Sequence, residues 1–236
     1  MTNLFTLIDA TWPAASTCSA GGFLIREGQG AGSRVSAATL EAAFEGADID
    51  AALAASKALG QRGLFMVRDG EEALDAALAA RGFAIEDPSV EYRAPLAALA
   101  HEVPPVTAFA HWPPLQIARD VWEETGITAA RQAVMERPPA PKTCVLGRTE
   151  DRAAGAAFVA ISGDTAMLHA LTILPEMRRK GLARAMMAEA VRWAIAEGAR
   201  DLSLIVRRDN AEANALYRAL GMEQAAQYHY RAEAKA

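Results

Sequence analysis

The chain is short of cysteine, of aromatic residues, of positive charge and of long hydrophobic runs. Cys18 and Cys144 lie far apart and form no C-x-x-C pair, which excludes a disulfide framework or a zinc knuckle and suits a reducing compartment. With 24 Lys and Arg against 29 Asp and Glu, the formal net charge is -5. That balance lacks the dense basic field that binding to a phosphate backbone requires, so no nucleic-acid partner is expected. The N-terminal MTNLFTLIDATWPAA has no positive charge ahead of its short apolar stretch, and no run is long enough to cross a bilayer. Neither a secretory signal nor a membrane partner is therefore expected, and the chain reads as cytoplasmic.

What is present is a globular composition, 52% hydrophobic and 22% charged over 236 residues. This length allows one large domain or two of roughly 100 to 120 residues each. The sharpest break lies between residues 95 and 115, PLAALAHEVPPVTAFAHWPPL, where five prolines interrupt any helical or strand period. It divides the chain into an N-terminal domain (1–100), a proline-rich linker (101–114) and a C-terminal domain (115–236).

In the first part, FLIREGQGAGSRVSAATL reads as two short strands about a Gly-rich turn. A helix over 48–59, a buried strand LFMVR and a helix EEALDAALAARGF stopped at Gly82 follow. In the second part, two amphipathic helices (IARDVWEETGI and TAARQAVMER) precede three strands, KTCVLGR, AAGAAFVAISG and TAMLHALTIL. The turn signal Ser162-Gly163-Asp164 makes the last two a hairpin. A long helix over 180–197, a strand DLSLIVR, a helix NAEANALYRAL and a strand QYHYRA complete the chain. Moreover, 204–222 aligns without gaps on 65–83, sharing a Val-Arg step, two alanines and a terminal glycine, and both segments lead to a strand ending Tyr-Arg-Ala. Two related halves are expected.

The chemistry gathers at LTILPEMRRKGLARAMM, where a strand passes into the long helix. A helix start offers unpaired N–H groups and the positive end of a dipole, and small residues let an anion approach the backbone. Gly181 and Ala183 allow that approach, and Arg178, Arg179, Lys180 and Arg184 surround it with positive charge. An anionic ligand is implied, although solvated basic residues at an ordinary helix start would look alike.

These residues resemble the Gcn5-related N-acetyltransferase (GNAT) family. Arg178, Gly181 and Ala183 meet its (Gln/Arg)-x-x-Gly-x-(Gly/Ala) segment, and Asn210, Ala213, Leu216, Tyr217 and Gly221 meet its later helix N-x-x-A-x-x-L-Y-x-x-x-G-(F/M). The resemblance covers about residues 115 to 231. In the N-terminal half it is faint: Leu78 aligns with Tyr217, Glu71 with Asn210, and no Arg-x-x-Gly-x-Ala segment precedes them. The implied fold is α/β (α+β), a mixed, mostly antiparallel central sheet flanked by helices, preceded by a smaller degenerate GNAT-like half that has lost its acetyl-CoA site, as in tandem members.

The resemblance implies acetyl transfer from acetyl-CoA to a primary amine by direct attack, with no metal. Tyr217 matches the tyrosine that donates to the CoA sulfur in many members; it is otherwise a core residue of an amphipathic helix. Leu171, Thr172 and Ile173 would offer backbone groups to the acetyl carbonyl and the pantetheine arm, and Leu182 belongs to the phosphate turn. Asn210 would bond near the CoA arm, or simply cap its helix. His169 stands on the face of Leu171 and Ile173 by period 2, with a pKa range suited to a general base, or is a hydrogen-bonded strand histidine. In some members that stretch holds two histidines; here the other position is Met167. The glutamate base of ribosomal protein acetylating members is replaced by Ile205. Asp120, Glu123 and Glu124 beside Trp112 and Trp122 could attract a cationic amine, or form a solvated helix face. A small-molecule amine acceptor, such as an amino acid or a polyamine-like compound, is favoured, in a monomer or homodimer. A protein or peptide acceptor and a non-catalytic acyl-CoA-binding module are the alternatives.

Overall fold

A computed structural model describes residues 3–234. Helix α1 (Leu4–Thr11), capped by the Asn3 side chain, leads into strands β1 (Ser16–Ala20), β2 (Phe23–Glu27) and β3 (Thr39–Leu40). Helix α2 (Ile49–Ala58), β4 (Leu64–Arg68), α3 (Glu72–Ala80), β5 (Ala84–Pro95) and the short α4 (Leu96–Leu99) complete the first half. The second half runs β6 (Ala108–His111), α5 (Gln116–Glu124), α6 (Ala129–Glu136), β7 (Lys142–Thr149), β8 (Arg152–Ser162), β9 (Thr165–Ile173), α7 (Leu182–Ala196), β10 (Asp201–Arg207), α8 (Ala211–Ala219) and β11 (Glu223–Ala232). Among the described residues no helix is long and apolar enough to cross a membrane.

Strands β1 to β3 form a small sheet, and the other eight form one sheet in the order β4-β11-β5-β10-β9-β8-β7-β6. All its neighbours are antiparallel except β9 and β10. The order is interlocked. Strand β5 of the first half lies between β10 and β11, while β11, the last strand of the chain, lies between β4 and β5. No break in the sheet coincides with the proline-rich stretch. That stretch itself supplies the edge strand β6, because Ala108–His111 falls between prolines and keeps its backbone donors for pairing with Cys144–Gly147.

Two features fix the second half. The facing glycines Gly147 and Gly155 sit under α7, where a Cβ on Gly155 would come 2.7 Å from Met186 Sδ and one on Gly147 still closer. Helix α7 therefore presses against bare backbone, which sets where its first turn lies. On the other face, Trp12, Trp112 and Phe158 pack under α1 and α5, with ring centroids near 6 Å. In the first half, Leu74 and Leu78 of α3 are fully buried with Phe23, Phe65 and Phe83. Burial of each such side chain stabilises by roughly 1.5 to 3 kcal/mol.

Candidate active site

Strands β9 and β10 pair only from Thr165–Leu168 to Asp201–Leu204, although both run on. They part because β9 bulges: Phe158 pairs with His169 but Ala156 with Thr172, so Ala170 and Leu171 together face the single residue Ala157. Ala170 takes φ +52°, and its carbonyl accepts a hydrogen bond of 3.0 Å from the buried Trp122 indole. Helix α5 thus holds the bulge, and the bulge opens the sheet.

The opening leads to a cavity of about 570 Å³. Leu171, Thr172 and Ile173 form one wall, and Asn210, Ala213, Leu216 and Tyr217 of α8 the other. Arg178, Arg179, Gly181, Leu182, Ala183 and Arg184 form its floor at the start of α7. Gly181 is the N-cap with φ +81°, and no side chain caps the helix. A Cβ there would meet nothing within 4 Å, so the glycine faces open space rather than protein and its positive φ is what demands it. Arg178 spends its Nε on the Ile173 carbonyl at 3.2 Å. Arg179 meets Glu212 only at 3.9 Å, with side chains 80% and 68% exposed, a contact of little energetic weight. Lys180 lies outside the lining: its Nζ is held by Glu150 at 2.6 Å.

Tyr217 is 6% exposed, and its ring lies 5.6 Å from that of Tyr92. Burial pushes its phenol up to about 12, so it stays protonated at neutral pH. Asn210 caps α8, its side chain accepting from Ala213 N at 3.1 Å.

Beyond Tyr217 a second cavity, of about 270 Å³, shares Leu171, Thr172, Asn210, Ala213 and Tyr217 with the first. Its inner wall is the surprise. Besides His169 it contains Trp12 and Arg34 of the first half and Arg131 of α6, none of which sequence reasoning singled out. Trp12 and Arg34 lie more than a hundred residues from the motif and Arg131 sits on an exposed position of an amphipathic helix, so no signal in the sequence joins them to it.

His169 is not on the face of Leu171 and Ile173. The bulge interrupts the alternation and puts it on the face of Thr172 instead. The ring is 3% exposed and stacks on Trp12 with centroids 4.9 Å apart. Arg34 Nη1, which can only donate, lies 3.2 Å from Nδ1, and Nε2 lies 2.9 Å from Thr11 Oγ1. Nδ1 therefore accepts from Arg34 and Nε2–H donates to Thr11, whose hydroxyl bonds the Leu7 carbonyl at 2.7 Å. Burial, and then the charge of Arg34, hold the imidazole well below its usual range and hence neutral. Both nitrogens are engaged, which disfavours the general-base role expected for this residue. The acidic helix stretch is also elsewhere: Glu123 and Glu124 are exposed, Asp120 accepts from Gln116 at 2.7 Å, and none lines either cavity.

Known structures share this architecture. A GCN5-related N-acetyltransferase from Kribbella flavida superposes with a TM-score of 0.71 at 17% identity, over 97% of this chain and 93% of that one. A conserved protein of unknown function from Staphylococcus epidermidis gives 0.72 at 13% identity, over 96% and 97%. A tandem GNAT protein from the clavulanic acid biosynthesis pathway gives 0.58 at 17%, over 78% and 69%. The fold is thus the GNAT fold. Residues 108–222 match the acetyltransferase (GNAT) family, and over those residues the chain is a GNAT acetyltransferase domain. That family uses acetyl-CoA. No curated protein matches the sequence.

Proposed function

We propose that the chain transfers acetyl from acetyl-CoA to the primary amine of a small molecule. One observation carries this reading: two cavities, one over an uncapped helix start ringed by arginines and a smaller one reaching in to His169 and Trp12, meet at a buried, protonated tyrosine. The residues suit the co-substrate. Gly181, Leu182 and Ala183 would give backbone N–H groups, and Arg178, Arg179 and Arg184 charge, to its phosphates. Backbone groups of Leu171 to Ile173, left unpaired with β10 by the bulge, would orient the pantetheine arm and polarise the acetyl carbonyl.

The thioester supplies an activated acyl carbon. The ammonium first gives one proton to solvent, the amine nitrogen bonds to that carbon and the carbon–sulfur bond breaks; Tyr217 gives its proton to the departing sulfur, and its phenolate takes back the second proton, which the new amide nitrogen must lose. His169 is a positioning residue for Arg34 rather than the base. The small volume of the second cavity, about 270 Å³, favours a small acceptor over a protein chain. Residues 1–100 form the degenerate GNAT-like half of this reading: they keep the strand–helix–strand unit without a phosphate turn.

Replacing Tyr217 by Phe tests the acid. Thiol release from acetyl-CoA over a panel of amines should fall by about 10² to 10⁴ in kcat while calorimetric affinity for CoA is kept. Undiminished kcat would remove Tyr217 from the mechanism, and CoA binding without release for any amine would leave a binding module.

A further inference from the structure

The second cavity lies inside an acidic chain, yet no Asp or Glu among the described residues lines it. Three arginines do: Arg34, Arg131 and Arg207. Arg207 is neutralised, by Asp87 at 3.2 Å and by Asp209. Arg34 and Arg131 form no ion pair with any carboxylate among the described residues, and the charged neighbour that Arg131 feels is Arg34 itself. The groups around Arg34 are neutral. His169 is held uncharged, and the Tyr230 hydroxyl that faces the guanidinium brings no negative charge at neutral pH, since burial first of all keeps it well above its usual range. The Nε of Arg34 is buried without any acceptor. Two guanidiniums converging on one small cavity, each lacking a counter-charge, form a receptor for an anion and repel a purely cationic guest.

We infer that the acceptor is a primary amine that also carries a carboxylate, an amino-acid-like molecule whose carboxylate is held between Arg34 and Arg131. This rests on the transferase reading above and names its substrate class. Polyamines and other polycations are excluded by repulsion. Trp12, Ile127, Leu168 and Leu204 supply an apolar wall, so the rest of the molecule is hydrocarbon or aromatic rather than charged. His169 acquires a purpose, since its Nδ1 fixes the fork of Arg34. The inference also bears on the proton: positive charge in a confined site favours the neutral amine over ammonium, so the amine can lose its proton to solvent without a side-chain base.

The test compares an apolar amino acid, its carboxamide and the decarboxylated amine, with a polyamine as fourth arm, in the thiol-release assay. The amino acid should exceed each of the others by about 100-fold in kcat/KM, mostly through KM. Arg131 is exposed, so Arg131→Glu should fold, and it should abolish that preference or reverse it toward the decarboxylated amine. Equal or better turnover of the decarboxylated amine or the polyamine by the wild type would overturn the inference while leaving acetyl transfer intact. So would an unchanged ranking in Arg131→Glu. If no amine releases CoA, the transferase reading fails, and calorimetry of the amino acid alone decides the pocket. Binding to the wild type and not to Arg131→Glu upholds the carboxylate site, and no binding to either overturns it.

Discussion

The unit β4-α3-β5 and the unit β10-α8-β11 are built alike, and the differences between them separate scaffold from chemistry. Each begins on a strand with a parallel neighbour, Leu204 beside Leu168 in one and Phe65 beside Ala38 in the other. Two residues past that contact the paths divide. In the second unit the carbonyl of Ala170 turns away to Trp122 and a cleft opens. In the first, the carbonyl of Leu40 accepts from Arg68 at 2.8 Å, so the arginine ties the two strands and the gap is shut. The helices follow suit. Ala213 and Tyr217 border the cavities, whereas Leu74 and Leu78, at the matching positions, are buried among phenylalanines. Asn210 caps its helix, whereas Glu71 makes no cap and turns back to Arg68, bonding its backbone N–H at 2.8 Å as well as its guanidinium. A ligand cleft in this fold thus depends on what is left unfilled, and a few larger or charged side chains suffice to close it.

The two units also grip one another. Asp75 of α3 holds Arg231 of β11, at 2.7 Å to Nε, and Asn214, its counterpart on α8, accepts from the Tyr92 hydroxyl of β5 at 3.1 Å. The largest test of this symmetry is to cut it. A fragment lacking residues 1–100 loses β5 from between β10 and β11 and should show no cooperative unfolding by circular dichroism; a sharp transition would make the halves independent. Next in size, Ala213→Leu gives the second helix the first one's filling. It should lower kcat/KM by about 100-fold at unchanged Tm, because leucine is a good helix former but displaces the acetyl group. Normal kinetics would mean that the cleft lies elsewhere.

A smaller effect comes from acid. Arg231, and then His229, bond the Asp75 carboxylate and hold it down to about 2. That stability is complete above the unfolded carboxyl value near 4 and is lost as pH falls through the folded value. Between pH 5 and 2 the wild type should lose about 2 kcal/mol more, from urea midpoints, than Asp75→Asn. Parallel curves would show that the tie carries no weight. Smallest is Arg68→Ala, which unties Leu40: about 1 kcal/mol by the same measure, with transfer untouched. A loss of activity there would reveal a role for the shut cleft.

Much of the second half was legible because its signals are local. The turn at Gly181 needs a glycine at positive φ, Asn210 caps where a cap is expected, and the hairpin at Gly163 follows its turn residues. Other features carry no local mark. Strand β1, STCSA, is polar and mostly exposed, so neither alternation nor β-branched enrichment betrays it. Helix α1 is a short apolar run without a long period, and β6 hides among prolines that suggested a linker. The bulge sits on an alanine, where positive φ would be sought on glycine, and this alone moved His169 to the other face. Arg34 is 135 residues from His169, and only the assembled fold brings them together.

The interleaving of β5 has a consequence for synthesis on the ribosome. Both neighbours of this strand, β10 and β11, lie more than a hundred residues further along the chain. The first half therefore emerges with a long strand whose two edges have no partner, and it waits for nearly the whole polypeptide before its sheet can close. Pairings of such sequence separation make for slow folding and leave a nascent chain exposed to aggregation. In this protein β4 and β5, made in the first half, are among the last strands to find their places.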